Sequence, residues 1–154
     1  MAIAFPAVSI TGASAQEGSG NLDPFYLNFA VTLSAPATER VTVEYRLLSG
    51  TGQAGTDAYF VGSTRSVSFE VGESSKTVEV RVDSDSVAEP DEAVVLEIFN
   101  ARGASLAGGA TTLRATGWVL DDDGSGNKLA LYASRPMVIE GDAGTRQANF
   151  EISL

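Results

Sequence analysis

The sequence predicts an all-β protein: one seven-stranded antiparallel sandwich, followed by the first strands of a second, incomplete unit. Three observations carry this. Apolar residues recur at every second position in most of the seven strand-like segments between residues 4 and 120, the period of a strand with one face buried. Gly, Pro, Ser and Asn cluster between those segments, where the chain has to turn. Nowhere do apolar residues follow the 3.6-residue period of an amphipathic helix, and several short strands at such spacing pack as two facing sheets.

Residues 4–10 are apolar and β-prone, and the strand breaks and resumes over 11–17 before Gly18, the pattern of a local irregularity. Over 25–33, Phe25, Leu27, Phe29, Val31 and Leu33 share one face, with Tyr26, Asn28, Ala30 and Thr32 on the other. Residues 34–37 turn the chain, and Val41, Val43, Tyr45 and Leu47 repeat the alternation, so a hairpin between these two strands is expected. Residues 49–62 hold four glycines and no alternation; a loop of this length in a compact domain usually has a function. Val67, Phe69 and Val71 face one way, a turn at 72–75 follows, and Val78, Val80 and Val82 face the same way, which predicts a second hairpin. An acidic connection over 83–92 precedes Val94, Leu96 and Ile98. The last strand, 112–120, ends on Asp121-Asp122-Asp123-Gly124.

With 154 residues, the chain suffices for one complete core and a remainder, not for two full domains. A net charge of −10 and no histidine exclude nucleic acid and anionic membrane surfaces, which need clustered Lys and Arg, and favour cations. No cysteine is present, so disulfides, thiolate metal sites and Cys nucleophiles are ruled out; without histidine the commonest general base is missing too. The paired carboxylates read better as ligands than as a catalytic acid and base, and the chain is not expected to be an enzyme. No apolar run is long enough for a membrane span and no signal peptide is evident. The Gly-, Ser- and Thr-rich acidic composition points to an extracellular or cell-surface setting.

Three adjacent carboxylates repel one another, each pair by about 1 kcal/mol in water and several times that near a protein surface. A solvated acidic turn accounts for them, and so does a bound cation. Glu17, Asp57, the acids of 85–92 and Asp121 to Asp123 all follow or interrupt strands that can end at one pole. Asp57 reads equally as a turn-capping residue and as a ligand. Calcium takes six to eight oxygens in adaptable geometry, whereas magnesium keeps its waters. The 83–94 stretch is not an EF-hand, since Ala88 stands where that loop requires Gly and Val94 where it requires Glu.

Glu17 before a glycine, the loop Ala54-Gly55-Thr56-Asp57-Ala58-Tyr59, residues 85–92 ahead of an alternating strand, and the terminal Asp121-Asp122-Asp123 together resemble the Calx-β domain over residues 3–124. The resemblance implies an immunoglobulin-like sandwich whose distal loops bind a small cluster of calcium ions. It implies Glu17, Asp57, Asp85, Glu89, Glu92, Asp121, Asp122 and Asp123 as side-chain ligands and the Val87 carbonyl as a main-chain ligand. Fuller members carry an acid where this chain has Ser84, so at least one metal position has one acidic ligand fewer here. Eight carboxylates balance at most about four divalent ions; with bridging ligands, two or three Ca2+ are expected.

Residues 125–128 read as a linker and 129–154 as the start of a second Calx-β-like repeat: Glu140-Gly141 stands to Phe150-Glu151-Ile152-Ser153-Leu154 as Glu17-Gly18 stands to Phe29-Ala30-Val31-Thr32-Leu33, with a gap two residues shorter. The leading expectation is a calcium-rigidified structural module between adjacent repeats, with a sensor module or an adhesion domain as alternatives. The tail at 129–154 is expected to pair with a sheet edge in cis or through a strand-exchanged homodimer.

Overall fold

In the computed structural model, the described residues are 5–18, 25–49, 63–82, 84, 86–123, 132–133 and 152–153. The chain divides into two units, Met1–Gly124 and Ser125–Leu154. Among the described residues of the first unit, nine strands form two sheets. One is ordered β6-β3-β1-β8, from Ser75–Val82, Phe25–Leu33, Ala7–Thr11 and Ser105–Leu106. The other is ordered β2-β9-β7-β4-β5, from Ala13–Gln16, Thr112–Leu120, Glu92–Arg102, Val41–Ser49 and Arg65–Phe69. A three-residue 3-10 turn, Ala107–Gly109, is the one helical element among the described residues. Nine strands rather than seven result because the first is split and β8 has only two residues.

The split is built around Gly12. Before it, β1 pairs antiparallel with β3; after it, β2 pairs parallel with β9, Ala13 opposite Gly117. A Cβ on Gly12 would collide with the Thr116 carbonyl oxygen, so only glycine lets the chain pass from one sheet to the other this close to β9.

The core lies between the sheets. Val8, Ile10, Leu27, Phe29, Val31, Val78, Val80 and Val82 come from one side, and Val41, Val43, Leu47, Phe69, Val94, Leu96, Ile98 and Val119 from the other, all buried. Each large side chain so buried contributes roughly 1.5–3 kcal/mol. Position 117 is glycine where β9 meets this core: a Cβ there would run into the Phe29 ring.

Two expectations about pairing are corrected. β3 and β4 do not form a hairpin, and neither do β5 and β6; in both cases the consecutive strands lie in opposite sheets. Alternation marks which face of a strand is inward, and strands that face each other across a core show the same alternation as strands that pair edge to edge. The two connections that cross between sheets also hold each other, Ala37 N–H donating to the Glu73 carbonyl and Gly72 N–H to the Ala37 carbonyl at 2.9 and 2.8 Å. Val71 belongs to this crossing and is exposed rather than inward, because β5 ends at Phe69.

Glu97 lies on the outer face of β7, opposite Arg46 of β4 and Arg114 of β9. Its carboxylate accepts from Arg46 Nε at 2.8 Å and from Arg114 Nε at 2.7 Å and is 1% exposed. The Arg46 guanidinium stands 5.2 Å from the Phe99 ring centroid, a cation–π distance. Hydrogen bonding from Arg114, followed by Arg46, holds the Glu97 carboxyl below the usual glutamate range against the opposing effect of burial.

In the second unit, β10 (Tyr132–Ala133) and β11 (Ile152–Ser153) pair antiparallel, Tyr132 opposite Ser153 and Ala133 opposite Ile152. In the first unit Ser9 is opposite Thr32 and Ile10 opposite Val31. Aligning Glu17 with Glu140 and Leu33 with Leu154 carries the second pair of contacts onto the first.

Candidate metal centre

The strand order decides which chain ends meet. β2 and β9 run parallel, so Gln16 and Leu120 finish side by side; β7 runs antiparallel to β9 and begins at the same pole, with Glu92 opposite Val119. β4 ends there too, Ser49 opposite Val94; β6 ends there and leads into the acidic connection. Glu17, Glu89, Glu92 and Asp121 to Asp123 therefore belong to one end of the first unit. Asp57 and Asp85 lie outside the described residues.

Main-chain amides draw these segments together. Glu17 N–H donates to the Leu120 carbonyl at 2.9 Å, continuing the β2–β9 ladder by one residue. Gly18, with φ +81°, then turns its N–H onto Asp122 Oδ1 at 2.8 Å. The positive φ is one that glycine adopts without penalty. From the other side, Glu89 N–H donates to Asp121 Oδ1 at 3.0 Å, and Asp121 N–H donates to Asp91 Oδ1 at 3.2 Å. Asp91 is an acid of this pole but not among the ligands that the resemblance implies; it follows Pro90 and precedes β7, a position where Asp often bonds main chain. Val87 lies in a bend and is exposed.

Burial is where the site departs from a solvated turn. Asp121 and Asp123 are 8% and 7% exposed, and Asp123 Oδ2 is fully buried with no hydrogen-bond donor among the described residues. An ionised carboxylate removed from water is stable only when paired, hydrogen-bonded or bound to a metal. Oxygen donors of this kind fit a hard cation such as calcium, so the residues present suit the ion that the resemblance implies. Among the described residues, no three acidic side chains form a ready ion-holding group.

The Calx-beta domain family model matches residues 16–123. That span runs from the end of β2 to the last of the three aspartates. The chain belongs to the Calx-beta domain family. Among solved structures, this Calx-beta chain is similar to the apo-form Calx CBD1 domain, at 27% identity and TM-score 0.60, covering 77% of this chain and 99% of that one. It is similar to CBD12 from CALX1.2 at 31% identity and TM-score 0.58, over 73% of this chain and 42% of that one. The calcium binding domain CBD12 of CALX1.1, 24% identical with TM-score 0.60 over 82% and 56% of the two chains, shares the fold. The Calx-beta chain thus spans about half the length of the two CBD12 chains.

Proposed function

We propose that this Calx-beta domain binds calcium at the pole formed by the ends of β2 and β9 and the start of β7. Asp123 Oδ2 carries the proposal: a buried carboxylate oxygen without a donor, two residues from the equally buried Asp121, lacks a positive partner within the described chain. One relative of the same fold is named a calcium binding domain. The ligands are Glu17, Asp57, Asp85, Glu89, Glu92, Asp121, Asp122, Asp123 and the Val87 carbonyl, for two or three ions.

The ion acts as a strut, not as a folding nucleus. The apolar core between the sheets is complete without it, so calcium stiffens a pole of a unit that is already folded. In this reading the module is one of adjacent repeats in an extracellular or cell-surface protein. The matching registers of β1–β3 and β10–β11 support a repeat beginning after Gly124. Calorimetric titration tests the calcium reading: uptake with Kd of about 10⁻⁴ to 10⁻³ M supports a strut. Submicromolar binding with large loop changes would move the assignment to a sensor, and no uptake at millimolar calcium would remove it. Size-exclusion chromatography of the full chain against 1–127 tests strand exchange through 129–154, which predicts a dimer for the longer chain alone.

A further inference from the structure

We propose that Asp91 is a positioning residue, whose carboxylate fixes the end of β9 so that Asp121 is presented to the cation; this rests on the calcium reading above. The β7–β9 ladder stops at the pair Glu92 and Val119, and the β2–β9 register ends at Gln16 and Leu120 with Glu17 N–H on the Leu120 carbonyl, so neither ladder's register includes Asp121. Two bonds extend the grip beyond it, in opposite directions. Asp91 Oδ1 accepts from Asp121 N–H, and Asp121 Oδ1 accepts from Glu89 N–H, at 3.2 and 3.0 Å. Residues 89–91 and residue 121 thus close a ring of reciprocal bonds. Pro90 stands at its turn, where its locked φ narrows the angles the ring can adopt.

Asp91 is exposed, whereas Asp121 is buried. The weakly screened end of this ring is therefore the ligand, and the solvent end is its holder. A carboxylate has about four lone-pair positions, so Asp121 can accept the Glu89 amide and meet a cation together. The buried, donor-less Asp123 Oδ2, two residues on, is the independent sign that a cation belongs beside this segment. If Asp121 swung freely, the ion would have to order it on binding, and affinity would fall by the cost of that ordering.

Asp91→Ala and Asp91→Asn in the full chain separate positioning from charge, because Asn keeps the acceptor oxygen and loses the charge. In calcium-free protein, amide hydrogen exchange at Asp121 is expected to speed up about tenfold in Asp91→Ala and to stay within about threefold of wild type in Asp91→Asn. Calcium calorimetry is expected to follow the same order, with Kd raised about tenfold by Ala and largely restored by Asn. An Asn variant as weak as the Ala variant would assign Asp91 to the ligand charge and overturn the proposal, as would an unchanged Kd in Asp91→Ala. Wild-type protein that takes up no calcium would sink this inference together with the calcium reading; normal wild-type uptake with an indifferent Asp91→Ala would sink this inference alone.

Discussion

Glu97 and Asp123 are both carboxylates withdrawn from water, one at the middle of the five-stranded sheet and one just past its end, and they are compensated in opposite ways. Glu97 receives two guanidinium groups from the strands on either side, so its charge is balanced wherever the sheet forms. Asp123 has a buried oxygen with no donor among the described residues, and Asp122 Oδ1 and Asp121 Oδ1 each accept a main-chain amide. The first arrangement is closed and depends only on folding. The second is open at Asp123 Oδ2; in the proposed calcium reading its balance comes from a cation, which would make the stability of that pole a function of solution composition.

The comparison breaks first on calcium. If the pole is a cation site, calcium at about 100 times Kd adds about 2.7 kcal/mol per site, which raises the melting temperature by about 5–10 °C for a chain of this size; differential scanning calorimetry with calcium and with chelator measures it. The next largest effect is Glu97→Ala. It is expected to cost about 2 kcal/mol by urea unfolding, below the 3–5 kcal/mol of a fully buried pair because both arginines reach water, and the loss should be equal with and without calcium. A calcium-dependent loss would mean that the two regions are coupled.

Asp123→Asn sharpens the contrast further. Removing the unbalanced charge is expected to stabilise the calcium-free protein by about 1 kcal/mol while weakening calcium uptake, so the chelated and calcium-loaded melting temperatures move in opposite directions. The smallest effect is that of pH. Because the arginines depress the Glu97 pKa in the folded state, its contribution is complete above the ordinary glutamate value of about 4.3 and is lost as pH falls through the lower folded value. The difference in urea midpoint between wild type and Glu97→Gln should therefore be constant near neutrality and shrink on acidification below about pH 4.

Much of the sandwich was legible because its strands are half-buried. Leu27, Phe29, Val31, Val78, Val80, Leu96 and Ile98 all occupy the faces that alternation assigns them. What alternation lacks is a partner. Leu33 and Val41 are buried in opposite sheets, but in sequence they look like neighbours in a hairpin. Glu97 was hidden for the same reason: it looks like an ordinary outward residue until the strand order places Arg46 and Arg114 beside it. At the pole, the acids stood out as a charge excess that something had to offset. Asp91 blended into that excess, since nothing in its spacing distinguishes a residue that binds a main-chain amide from one that binds an ion.

The glycine at which the opening strand changes sheets also sets how the unit responds to tension. Because β2 lies parallel to β9, pulling the entry of the first strand against the exit of the last slides these two past each other. The bonds between Ala13–Gln16 and β9 are then strained at the same moment instead of peeling apart singly. A unit threaded this way resists stretching at its seam, and that seam ends at the aspartates.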